Sequence, residues 1–140
     1  RKQGKPLHLP GKAGISEAQI NYVQQALNEN SNVRWTILLM HKPAWLYDSL
    51  EFVRIENMLQ DRPYTVIAGH EHYYMYSRRH DRDYVDMGTT GGIWLQDGVG
   101  RVDHIAWITM TEKGPIFANI GLDGLFDKHG PGAMSGPVLP

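Results

Sequence analysis

Two short apolar runs constrain this chain most. Trp35-Thr36-Ile37-Leu38-Leu39-Met40 runs into His41-Lys42-Pro43, and Tyr64-Thr65-Val66-Ile67-Ala68 runs into Gly69-His70-Glu71-His72. Apolarity that is continuous rather than alternating suits strands covered on both faces, as in a parallel sheet under helices. Pro43 brings no ladder donor and stops the first run. Between the runs, Phe52, Ile55 and Leu59 recur at helical spacing within residues 48–60, and Arg62-Pro63 closes that segment. A helix joining two parallel strands is expected to cross over right-handed.

The flanks extend this pattern. Residues 1–14 read as loop, punctuated by Pro6, Pro10, Gly11 and Gly14. Ser16-Glu17-Ala18-Gln19 has the form of a capping box, and Ile20, Val23 and Leu27 follow at helical spacing, which predicts a helix over 16–29. Beyond His72 the pattern changes to shorter strands joined by turns: 73–77, 84–87, 102–109 and 116–120. The charged stretch 78–83 reads as a hairpin tip. The expected fold is therefore α/β, with two helices flanking a partly parallel sheet and antiparallel strands forming a second layer. A Gly/Pro-rich tail is expected over 126–140, with the folded domain over 1–125.

Composition closes off several functions. With 140 residues the chain suits one small domain or part of a larger one, able to bury roughly 68% of its unfolded surface. Net charge is −1, so no basic field recruits nucleic acid or an anionic membrane. The sequence holds no cysteine, which removes disulfides, thiolate metal sites and cysteine nucleophiles without deciding the redox compartment. No apolar run approaches the length of a membrane span. The opening residues lack the apolar core of a signal peptide, and Arg1 in place of Met suggests that the natural protein begins earlier.

The chemistry gathers where the two apolar strands end. Ligands of open α/β sheets bind outside the carboxyl ends of the strands. Parallel neighbours would bring His41 and His70 to one rim. An extended His70-Glu71-His72 would point both imidazoles to one side and Glu71 to the other. Three neutral nitrogens would then converge, as borderline metal ions prefer. A lone histidine is more often a hydrogen-bonded surface residue, and His-x-His alone is a weak signal. The ordered set of strand-His-x-Pro, helical crossover and strand-Gly-His-x-His is far more restrictive.

In order, Gly14-Ile15-Ser16 to Gln19 and Leu27, then His41-Lys42-Pro43, then Gly69-His70-Glu71-His72, then Thr89-Thr90-Gly91-Gly92, the chain resembles the later half of the calcineurin-like metallophosphoesterases. The resemblance covers about residues 14–125. It implies the C-terminal half of a four-layer αββα sandwich and hydrolysis of phosphoester bonds by water activated between two metal ions, with zinc, iron or manganese as candidates. His41 and His70 would bind one metal and His72 the other. The glycine pair would lie near the active-site rim. The implied partners are a phosphoester substrate and the N-terminal half of the same enzyme domain.

The family's earlier motifs, D-x-H, G-D and G-N-H-[DE], supply the remaining ligands, and none of them precedes His41. The chain by itself is therefore expected to be inactive and, as half a sandwich, to self-associate. The alternative is a non-catalytic α/β interaction or metal-binding module. A metallo-β-lactamase would need H-x-H-x-D-H, whereas Tyr73-Tyr74-Met75 follow His72, and an amidohydrolase barrel needs roughly 250 residues. His104 reads as a structural residue on a strand, His80 as part of a solvated loop, and Trp45 and Tyr47 as lining the cleft or packing beneath it.

Overall fold

The computed structural model describes residues 9–132. Helix α1 (Glu17–Glu29) starts at the expected capping box, where Ser16 and Gln19 bond reciprocally. Strand β1 (Thr36–Leu39) leads into a single 3-10 turn over Ala44–Leu46, and helix α2 (Leu50–Leu59) carries the chain back to β2 (Tyr64–Ala68). Strands β3 (Met75–Arg79), β4 (Arg82–Asp86), β5 (His104–Thr111), β6 (Gly114–Gly121) and β7 (Gly124–Phe126) follow.

Two sheets result. The first has the order β1-β2-β4-β3, with β1, β2 and β4 mutually parallel and β3 antiparallel to β4. The second is an antiparallel β5-β6-β7 sheet. On one face of the first sheet Leu38, Val66, Ala68 and Tyr84 pack against Ile20 and Leu27 of α1 and Phe52, Ile55 and Leu59 of α2. Both helices thus cover the same face. On the other face, Ile67 and Val85 meet Ile108, Phe117 and Phe126 of the second sheet. The described residues build three layers in the order helices, mixed sheet, antiparallel sheet.

Two departures from the sequence reading have local causes. The β3–β4 hairpin absorbs most of the charged stretch expected as loop: Arg79 pairs with Arg82, leaving only His80 and Asp81 in the turn. Both have positive φ, 49° and 56°, as a two-residue turn matched to strand twist requires. Strand β7 was not expected, because three residues with one buried side chain make no periodic signal. Phe126 is nonetheless buried against Tyr74 and His104, and Lys128 reaches Asp83 at 2.6 Å, so the chain after residue 125 packs back on the domain. The rest of the expected tail, residues 133–140, lies outside the described residues, as do 1–8.

A buried charge ties α2 to the sheet. Glu56 is 5% exposed; it accepts both arms of Arg79, at 3.0 and 3.1 Å, and the Tyr84 hydroxyl at 2.8 Å. Removing the cation leaves a desolvated carboxylate with one neutral donor. Arg79→Ala should cost about 2–3 kcal/mol in urea unfolding, below the full cost of breaking a buried pair because the arginine is one-third exposed. Glu112→Ala, which breaks the exposed Arg34 pair, should cost less than about 1 kcal/mol.

The outer face of the antiparallel sheet is apolar and is left uncovered by the described residues. Ile105, Ile120 and Leu125 form one cross-strand row, and Trp107, 68% exposed, and Ile116 continue it. A contiguous apolar sheet face of this kind promotes association. In sedimentation velocity the chain should show mass rising with concentration, and Trp107→Asp combined with Ile120→Thr should return it to monomer.

Candidate metal centre

Strands β1 and β2 run parallel with Leu39 opposite Ile67, so their carboxyl ends reach one edge together. Beyond that edge the pairing continues for one more step, through Met40 N–H to the Ile67 carbonyl and Gly69 N–H to the His41 carbonyl. This ladder delivers His41 and His70 to the same place. His70 Nδ1 and His41 Nε2 face each other at 3.0 Å, with the rings edge to face.

The segment after Gly69 departs from the sequence reading. His70-Glu71-His72 is a bend, not extended backbone: His70 has φ of 83° and His72 of 54°. The left-handed positions fall on the two histidines and not on Gly69. Each costs on the order of 1–3 kcal/mol and persists only where surrounding contacts over-determine it. The three side chains of the bend therefore leave in different directions. His70 meets His41, Glu71 accepts the Tyr47 hydroxyl, and His72 Nδ1 donates to the Ile93 carbonyl. A carbonyl only accepts, so Nδ1 carries a proton, and in a neutral ring Nε2 would hold the lone pair. Among the described residues, no group of three or more His, Asp or Glu side chains converges as a metal cage.

The glycine pair Gly91-Gly92 sits beside this bend. A Cβ on Gly92 would lie 3.9 Å from the His72 ring. Asp103 shapes the turn before it by accepting from the Thr89 hydroxyl and the Gly91 N–H, and these hydrogen bonds hold its carboxyl below the usual range. The Ile93 carbonyl was invisible in sequence, since any residue supplies one. A pocket of about 210 Å³ opens next to His41, lined by Gly14, Gln19, Met40 and Lys42. A larger one, about 390 Å³, is lined by Trp94, Arg101, Asp123 and Phe126 and contains none of the three histidines.

Other sequence candidates take structural roles. Trp45 packs in the core edge to face with Tyr84, while Tyr47 is half-buried at the bend. His104 is buried against Tyr74 and Phe126, and burial lowers its pKa. His80 occupies the β3–β4 turn, 3.8 Å from Glu56. One string escaped the sequence reading: Asp127-Lys128-His129 has the D-x-H form. It follows the other motifs instead of preceding them, and it closes on itself, with Asp127 accepting the His129 N–H at 2.8 Å.

Asp86 is the residue that sequence reasoning missed. It ends β4 opposite Ala68, is fully buried, and among the described residues neither carboxylate oxygen has a hydrogen-bond donor. Burial, and then the charge of Glu71, push its pKa to about 8. The usual signal for such a residue, an acid inside an apolar run, was present in Tyr84-Val85-Asp86-Met87.

A comparison with protein-family models, curated proteins and solved structures finds no match for the chain. The functional reading consequently rests on the chain's own sequence motifs and on the geometry of its residues.

Asp86 gives the protein a defined pH response. The folded state retains a proton up to about pH 8 that the unfolded chain releases near 3.8. Stability is thus undiminished by this group below about pH 4 and falls as pH rises toward 8, by up to about 1.4 kcal/mol per pH unit. Asp86→Asn should flatten that slope and raise the urea midpoint at pH 8 while leaving it nearly unchanged at pH 4.

Proposed function

We propose that this chain is the C-terminal part of a dinuclear, metal-dependent phosphoesterase of the calcineurin-like type. The observation that carries the reading is the meeting of His41 and His70 at the carboxyl edge of two parallel strands. Two nitrogens bound to one tetrahedral ion at about 2.0–2.1 Å are about 3.3 Å apart, and the observed separation of 3.0 Å lies within a small side-chain adjustment of that. His72 adds support of a different kind. Metal-binding histidines commonly donate their other ring N–H to a backbone carbonyl, which fixes the tautomer, and the bond to Ile93 leaves Nε2 as the donor.

In this reading His41 and His70 hold one ion and His72 the other, with zinc, iron and manganese all suited to imidazole. When bound, the pair of ions supplies Lewis-acid polarisation of a phosphoryl group and an activated water. This chain contributes the imidazoles, their tautomers and the rim that orients them. The carboxylate bridge and the remaining ligands belong to a polypeptide segment carrying D-x-H, G-D and G-N-H motifs. That segment is the proposed partner, and the uncovered apolar face of β5-β6-β7 together with Leu39 and Ile37 on edge strand β1 are the surfaces it would cover, completing a fourth layer. Exposed apolar side chains on an edge strand favour such pairing.

The alternative reading is a non-catalytic α/β interaction or metal-binding module. The two separate on activity. With manganese or zinc the 140-residue chain alone should hydrolyse p-nitrophenyl phosphate negligibly. Joined to a segment that supplies the missing motifs, it should turn over, and His70→Ala should reduce kcat at least about 100-fold. A joined protein that folds and stays inactive with every metal tested would favour the module.

A further inference from the structure

Among the described residues, three side-chain links hold the bend that presents His70 and His72, and they are not equivalent. The His70–His41 contact uses His70 Nδ1 and His41 Nε2, the nitrogens that meet at the rim. A cation between those nitrogens would replace that link. The His72–Ile93 bond attaches the bend to the exposed stretch 91–99. Only the third link, from the Tyr47 hydroxyl to the Glu71 carboxylate, involves no histidine. Like the His72–Ile93 bond, it would remain in place with a cation on the imidazoles, and it acts on the residue between them.

Tyr47 is built to hold that position. It follows directly on the 3-10 turn, its N–H bonding the Ala44 carbonyl at 3.2 Å, and this turn is the one that His41-Lys42-Pro43 enters. The Lys42 ammonium lies 4.9 Å above its ring, and the Lys42 Nζ in turn donates to the Lys12 carbonyl at 3.2 Å. Burial, and then the bond to Glu71, raise its pKa to about 12, so the phenol remains a donor at any physiological pH. The hydroxyl thus joins the segment after β1 to the segment after β2, the two segments whose histidines meet. Left-handed backbone on both sides of Glu71 makes the bend dependent on such a tie.

We infer that Tyr47 and Glu71 form a clamp that positions His70 and His72 for a divalent transition-metal cation. The inference rests on the metal-binding reading above and adds two residues to it. Neither residue touches the cation; both act through the histidines. Outer partners of metal-binding histidines are worth about 10–100-fold in affinity.

The test is titration of the full 140-residue chain with Co²⁺, followed by visible d–d absorption, alongside thermal melting without metal. Wild type should bind, and His70→Ala should lose the band. Tyr47→Phe and Glu71→Ala should each weaken Co²⁺ binding about tenfold and alter the band shape, with melting temperatures within a few degrees of wild type. Glu71→Gln, whose amide oxygen still accepts from Tyr47, should restore most of the affinity. The double variant Tyr47→Phe/Glu71→Ala should be no weaker than the worse single one, as members of one interaction behave. Tyr76→Phe, which removes a hydroxyl bonded to Asp83, should bind like wild type. Absence of Co²⁺ binding in wild type, or binding unaffected by His70→Ala, would overturn the metal reading and the clamp with it. Normal binding by Tyr47→Phe and Glu71→Ala, with His70→Ala inactive, would overturn the clamp alone. Losses that add in the double variant would do the same.

Discussion

Strand β2 is buried along its whole length, and the other elements are placed by what that burial demands. A buried strand must satisfy its backbone donors and acceptors on both edges, and β1 and β4 do so in parallel register. It must also cover both faces. Val66 and Ala68 face the two helices, while Ile67 faces the antiparallel sheet. The crossover through α2 follows from the parallel pairing, since parallel neighbours cannot be joined by a tight turn.

The same constraint builds the rim. Parallel strands end on the same side, so the residues that follow β1, β2 and β4 are neighbours in space although they lie in three separate stretches of sequence. His41, the His70–His72 bend and Asp86 meet there for that reason. Polar side chains at a strand's carboxyl end face either the rim or the core beneath it. The histidines took the first option and Asp86 the second. Its burial, and then the charge of Glu71, explain why its carboxyl retains a proton; burial, and then the bond to Glu71, raise the pKa of neighbouring Tyr47. A compact polar cluster of one phenol and two carboxyl groups therefore lies against the histidine bend.

The antiparallel half of the molecule is less self-sufficient. Its inner face supplies Ile108, Phe117 and Phe126 to the second core and places Asn119 where it donates to Tyr74 and the Asp127 carbonyl. Its hairpin tip is anchored to the start of β1, where the Trp35 ring lies against Gly114; a Cβ there would come within 2.5 Å of it, so the position requires glycine. Its outer face has no such partners among the described residues. The difference between the two faces is one of covering, since both are apolar.

Local pattern alone determined much of this. The capping box set the start of α1, continuous apolarity marked β1 and β2, helical spacing marked α2, and the ordered histidine motifs indicated that His41 and His70 share a rim. These are properties of short segments whose side chains repeat with the period of the backbone. What sequence left open depends on contacts between distant segments. Left-handed backbone at His70 and His72 is uncommon for residues other than glycine, and Tyr47, Ile93 and His41 bond to the bend that contains it. Strand β7 forms because Phe126 fills a space between Tyr74 and His104. Asp86 acquires its shifted pKa only when β4 is enclosed beside Glu71. Each of these requires knowing what lies across the space, and only the tertiary structure decides that.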